Sequence, residues 1–212
     1  RLICASNENN VLTDFINTGT YNRKRDFKKT LSPSMDILIS SNLERLLYEV
    51  TGHNSKMVAG WMEKLSRTGE YTVDEDTKKK ISKIFWADYS NDSETLKTIE
   101  CIYNENNYVI DTHTAVGIDV YDKYVISTGD FTKTVIVSTA SPFKFNHSVV
   151  RAMFGEEEVK GKSEFELLDI LSQKCGIPIP NGLQGLDRKE IRHNKVCRKS
   201  EMKDQVKSIL SI

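Results

Sequence analysis

Strand-like runs are scarce in this sequence, and their scarcity limits what the chain can fold into. Two stretches of the 212 residues read as buried strand: Leu2 to Ser6 in "RLICAS", and Val135 to Val137 in "TVIVSTASPFKF". Tyr108 to Ile110 is either a third short strand or the approach to a helix. Elsewhere apolar residues recur at helical spacing, enough for about eight helices. Two or three strands do not complete a parallel sheet, so the pattern predicts a helix-rich α/β fold with part of its sheet elsewhere. The chain also opens directly on an apolar strand run. The expectation is therefore a piece of a longer polypeptide, with the missing strands upstream.

The helices can be placed from caps and periodicity. Asn9 or Asn10 is suited to cap a helix from Val11 to Asn17. Ile37, Leu38, Leu43, Leu46, Leu47 and Val50 predict a helix from about Met35 to Val50. The stretch from Asn54 to Asn104 reads as helical throughout, with a capping box at Thr72 and Glu75. Asp111 is a plausible cap for a helix whose inner face carries Ala115, Val116, Val120 and Tyr124. A further helix ends at Gly155, and a capping box at Ser163 and Glu166 opens one through Leu171. From about Ser200, the residues Met202, Val206, Ile209 and Leu210 share one helical face.

Composition removes several function classes. Lysine plus arginine equals aspartate plus glutamate at 30 each, which gives no support for nucleic acid or an anionic membrane as partner. No apolar run approaches the roughly 20 residues of a membrane helix. Four cysteines without a CxxC pair or a secretory leader fit reduced thiols in a cytoplasm. His193 and Cys197 stand four apart, but no second close pair joins them, so no metal site is assigned. There is no GxSxG elbow, P-loop or GxGxxG.

Two places invite a ligand. His113, at a predicted helix start, can face an anion or pack within the first turn. Ser138, Thr139 and Ser141 close the predicted strand, where ligands bind in open α/β sheets. Their hydroxyls can instead satisfy loop backbone.

The segments "RLICASNENNVLTDFINTGTY", "SPSMDILISSNLERL", "DTHTAVG" and "VSTASPFKF" resemble, in order and spacing, the C-terminal part of threonine synthase. The resemblance covers Arg1 to about Gly155 and implies a partial fold-type-II pyridoxal phosphate (PLP) domain, of the tryptophan synthase β-like kind. On that reading residues 1–212 are the C-terminal part of the large domain, with a helical insertion at about 35–105. The family converts O-phospho-L-homoserine and water to L-threonine and phosphate. The Schiff-base lysine and the glycine/asparagine phosphate loop would lie in a missing N-terminal half of the same chain, leaving no catalytic residue here and an inactive fragment. The resemblance assigns Thr139 to the cofactor's ring nitrogen, with Ser138 as runner-up, and places Asn7, Ser32 and His113 in the substrate pocket wall. It makes Lys144 a loop residue rather than a nucleophile. The sequence departs from the family at Thr112, where proline is common, and at Ser141, where histidine is frequent. Competing readings are a non-catalytic helical interaction module derived from this fold, and another fold-type-II enzyme such as a dehydratase.

Overall fold

The computed structural model describes residues Arg1–Ile212. They divide into two compact units, Arg1–Pro178 and Ile179–Ile212.

The first unit is organised around a parallel pair of strands. β1 (Leu2–Ser6) pairs with β4 (Phe85–Tyr89) in the register Leu2 with Phe85 through Ser6 with Tyr89. Parallel strands need a long crossover and cover on both faces. The crossover starts with helix α1 (Val11–Thr18), which packs on the pair, as does α6 (Thr112–Thr128). Successive side chains on β4 point to opposite faces. Trp86 meets Tyr124 of α6 edge-on at 5.2 Å, while Ala87 joins the core with α1 residues Val11 and Phe15.

A second, antiparallel ladder sits within the crossover. β2 (Thr20–Asn22) follows α1, and β3 (Glu70–Thr72) follows α3 (Ser55–Thr68). Each helix ends on a glycine with left-handed backbone, Gly19 at φ 78° and Gly69 at φ 79°, which turns the chain at once into its strand. The two glycine carbonyls extend the ladder by accepting from Val73 N–H and Arg23 N–H. Tyr21 and Tyr71, directly opposite, stack at 5.5 Å with planes 4° apart. Phe15 meets both rings at 5.9 Å and Trp61 meets Tyr71 at 6.1 Å. Helix α2 (Leu43–Val50) closes this core with Leu43 and Leu47.

Helix α4 (Glu75–Ile84) leads into β4, and α5 (Asp92–Asn106) packs on α6 and on α7 (Asn146–Phe154). The short α8 (Glu156–Val159) and α9 (Glu164–Cys175) complete the unit. The second unit holds irregular chain and α10 (Met202–Leu210), whose Met202, Val206, Ile209 and Leu210 are exposed.

Five expectations need correction. Asn54–Asn104 is not helical throughout, since it contains β3 and β4. Ile81, Ile84 and Phe85 suit a helix face by spacing, but the free edge of β1 offers Phe85–Tyr89 a ladder, and pairing overrides local preference. The helix expected from Met35 begins only at Leu43, after a short 3-10 turn at Pro33–Met35. Thr72 does not cap α4; it lies in β3, and Asp74 caps instead by accepting from Thr77 N–H. Neither Asn9 nor Asn10 caps α1 with its side chain; Asn9 is drawn into the loop network described below. Val135–Val137 forms no strand: the segment has no ladder partner, and Val135 and Val137 are 86% and 73% exposed. β-strands need a neighbour to pair their backbone groups, and no strand of this chain lies alongside.

The aromatic cluster gives the first prediction. Phe15→Ala removes a fully buried ring that touches both tyrosines, and should lower unfolding free energy by about 3–5 kcal/mol in a urea titration. A loss under about 1 kcal/mol would mean that this cluster is not the main core.

Candidate functional site

Past the carboxyl end of β1, the chain builds a buried polar network. Asp36 organises it. Its Oδ1 accepts from Asn7 Nδ2 at 2.8 Å, Asn9 Nδ2 at 2.9 Å and Thr30 Oγ1 at 2.8 Å, while its Oδ2 accepts from Thr30 N–H at 3.1 Å. Asn7 Nδ2 also lies 2.8 Å from Thr30 Oγ1 and 3.2 Å from both oxygens of Ser32. An amide has two protons, so its short contacts to Asp36 and Thr30 are its bonds. Asn7 Oδ1 accepts from Asn9 N–H, a local turn that bends the chain out of the strand. Asn9 further clasps Lys28 through its carbonyl and its N–H. The loop at 28–36 is thereby pinned to β1, and Leu31 N–H donates to Asp92 at the start of α5.

The same loop is tied to α6. Ser34 N–H donates to His113 Nε2 at 3.1 Å. That bond requires the Nδ1–H tautomer, and Nδ1 lies 3.1 Å from Asp111 Oδ1. The imidazole is buried and lies 4.6 Å from the Phe145 ring. Both ring nitrogens are engaged, so what His113 offers a neighbouring space is its carbon edge.

Asp111 is the cap of α6 and is fully buried. Its carboxyl also accepts from His113 N–H at 2.8 Å, Thr114 N–H at 3.4 Å and the Thr114 hydroxyl. Burial alone would raise its pKa, but the hydrogen bonds from His113 and Thr114 outweigh burial and hold it below the ordinary value. An ionised carboxylate at this end also suits the helix dipole.

A cavity of about 550 Å³ lies between β1, the first turns of α6 and the segment 130–139. Leu2, Ile3 and Ala5 border it from β1, and Met35, His113 and Gly117 border it from the loop and helix. Its size is that of a small-molecule site. The segment opposite is anchored at its start by Asp130, which accepts from Tyr124 Oη at 2.5 Å and Thr132 N–H at 2.9 Å. Bonds from Thr132 and Tyr124 push the Asp130 carboxyl down to about 2. At its far end, Ser138 Oγ lies 3.0 Å from Thr114 Oγ1. Thr134 to Val137 and Thr139 border the cavity, whereas Ser138 borders a separate depression with Thr114 and Ile118.

Of the residues expected from the sequence, the structure thus brings Thr139 and His113 to one cavity. It brings Asn7 and Ser32 together in the adjoining loop network, and turns Ser138 away onto α6. Asp36, Asn9, Thr30 and Thr114 had not been singled out. A carboxylate just after "SPSM" was the available signal for Asp36, but the apolar spacing beyond it reads as a continuing helix.

The chain has relatives among known proteins. Residues 114–209 match the family model "Threonine synthase, C-terminal". The threonine synthase of Saccharomyces cerevisiae is 37% identical over 169 residues, covering 73% of this chain and 33% of that protein. The crystal structure of threonine synthase from yeast superposes with a TM-score of 0.80 at 30% identity, covering 100% of this chain and 42% of that one. The chain is similar to the C-terminal part of threonine synthases. It shares the helix-rich α/β, fold-type-II architecture of those PLP enzymes and covers part of it. A PLP-bound threonine synthase from Brucella melitensis superposes with a TM-score of 0.65 at 35% identity, over 74% of this chain and 33% of that chain. Threonine synthase-like 1 of Homo sapiens is 37% identical over 154 residues, covering 72% of this chain and 20% of that protein. The chain therefore spans from a fifth to about two fifths of the length of these threonine synthases and their relatives.

The Asp111 cap gives a pH prediction. A carboxyl whose folded pKa lies below its unfolded value of 3.8 stabilises fully above that value, and the contribution is lost as pH falls through the folded pKa. Asp111→Asn should therefore be less stable than the parent at pH 7, by about 1–3 kcal/mol, with the gap narrowing below about pH 4. Urea titrations across that range check it; a gap independent of pH would show that the charge of Asp111 is not what stabilises.

Proposed function

We propose that this chain is the C-terminal part of the large domain of a PLP-dependent threonine synthase; the expected insertion at about 35–105 is narrowed by β4, which belongs to the central strand pair. The complete enzyme converts O-phospho-L-homoserine and water to L-threonine and inorganic phosphate. The observation that carries the reading is that Thr139 borders the cavity while its neighbour Ser138 is held on α6.

The lining fits one end of the cofactor. Thr139 supplies an uncharged hydroxyl for the ring nitrogen. Among the lining residues the single glycine is Gly117, inside α6, so no glycine loop of this chain cradles the phosphate there. PLP, when bound, supplies an electron sink to the carbon atoms of the substrate. Thr139 orients the ring and, as an uncharged partner, leaves its nitrogen unprotonated, whereas a carboxylate would favour protonation. His113 and Met35 shape the wall, and the network around Asn7 and Ser32 holds the adjoining loop in place. Lys144, in the turn at Pro142–Phe145, does not border the cavity and has no covalent role in this reading.

The remaining parts belong to the N-terminal half of the same polypeptide. The second edge of β1 has no ladder partner, and it faces the exposed Val135 and Val137 across the cavity. A strand from that half would find backbone groups and apolar side chains to cover there. By itself, the 212-residue chain is inactive.

Two measurements test this. The full-length protein supplied with PLP should release phosphate from O-phospho-L-homoserine, and the isolated chain should not. Ammonia release from threonine or serine instead would make it a dehydratase, and no turnover of either would overturn an enzymatic role. In the full-length protein, Thr139→Val should leave the far-UV spectrum unchanged, shift the absorbance of bound PLP and slow turnover by about tenfold or more, the worth of one hydrogen bond to the cofactor. Parent-like absorbance and rate would remove Thr139 from the ring nitrogen.

A further inference from the structure

We propose that Thr114 is a positioning residue: its hydroxyl, held between the Asp111 carboxylate and the Ser138 hydroxyl, keeps Ser138 on α6 and so leaves Thr139 presented to the cofactor. The inference rests on the reading of Thr139 given above.

The Thr114 hydroxyl bridges two groups. Thr114 Oγ1 bonds to Asp111 Oδ2, and an ionised carboxylate only accepts. The hydroxyl's other neighbour is Ser138 Oγ, 3.0 Å away, so Thr114 links the segment to the buried carboxylate. Charge assistance from Asp111 strengthens the first bond.

The consequence for Thr139 follows from chain geometry. Ser138 borders the depression on α6 while Thr139 borders the cavity, and the contact with Thr114 holds Ser138 on its side. Few other restraints fix this choice. The segment has no backbone ladder in this chain. Asp130 fixes its start, and Ile136 rests on Gly117, where an added Cβ would lie 3.4 Å from Ile136 Cγ2. Only the Ser138–Thr114 contact acts next to Thr139. Thr114 itself is buried and borders the depression that Ser138 faces, not the cavity, so it touches neither cofactor nor substrate.

The test uses the full-length protein loaded with PLP. Thr114→Val keeps the volume and deletes the hydroxyl, whereas Thr114→Ser keeps the hydroxyl. Thr114→Val should shift the absorbance of bound PLP and raise its Kd by about tenfold, the effect of one lost hydrogen bond. Thr114→Ser should match the parent in both. Ser138→Ala removes the other end of the contact at an exposed position, so it gives the same readout even where Thr114→Val does not fold. Parent-like absorbance and Kd in Ser138→Ala, or a Thr114→Ser that behaves like Thr114→Val, would overturn the proposal. Thr139→Val measured alongside separates the two readings. If it also leaves the absorbance unchanged, the ring-nitrogen assignment has failed; if it alone shifts the band, only the role of Thr114 has failed.

Discussion

One buried carboxylate joins the separate parts of the site. Asp111 caps α6 and binds the His113 ring, which in turn accepts from Ser34 in the loop after β1. It also binds Thr114, which reaches Ser138 in the segment across the cavity. Loop, helix and segment are far apart in sequence, and each is irregular or short where it meets the others. Without the charge at their junction, the donors of His113 and Thr114 would be buried without partners, which costs more than the bonds contribute. The cost explains why a charged group sits where exposure is zero.

Asp36 does comparable work one layer away. It gathers Asn7, Asn9 and Thr30 so that the chain leaving β1 returns as a fixed loop. Two fully engaged carboxylates thus frame the carboxyl end of β1, where open α/β folds place their ligands. Satisfied polar networks of this kind specify one arrangement, since any shift strands several groups at once. The cavity walls are consequently held by hydrogen bonds, while the aromatic core around Phe15, Tyr21, Trp61 and Tyr71 lies in the crossover and stabilises the scaffold.

Much of this was legible in the sequence. The helix-rich α/β class, the strand at Leu2–Ser6, the cap at Asp111 and the capping box at Ser163 all depend on neighbours within a few residues. Local preference decides such features. β4 was missed because a parallel strand buried on both faces has no alternation to distinguish it from a short helix segment. Asp36 was missed because its partners lie 6 to 29 residues away. The strand expected at Val135–Val137 does not form, because nothing in this chain pairs with it.

The sequence by itself therefore determined the helix-rich class, the first strand, and the helices capped at Asp111 and Ser163, because these follow from period and near-neighbour chemistry. The tertiary structure alone decided which polar groups meet. It set Asn7 and Ser32 around Asp36, and closed both nitrogens of His113. It also separated Ser138 from Thr139, one onto α6 and the other into the cavity. The physical reason is that a hydroxyl or carboxylate has many acceptable partners in sequence, and only packing reduces them to one.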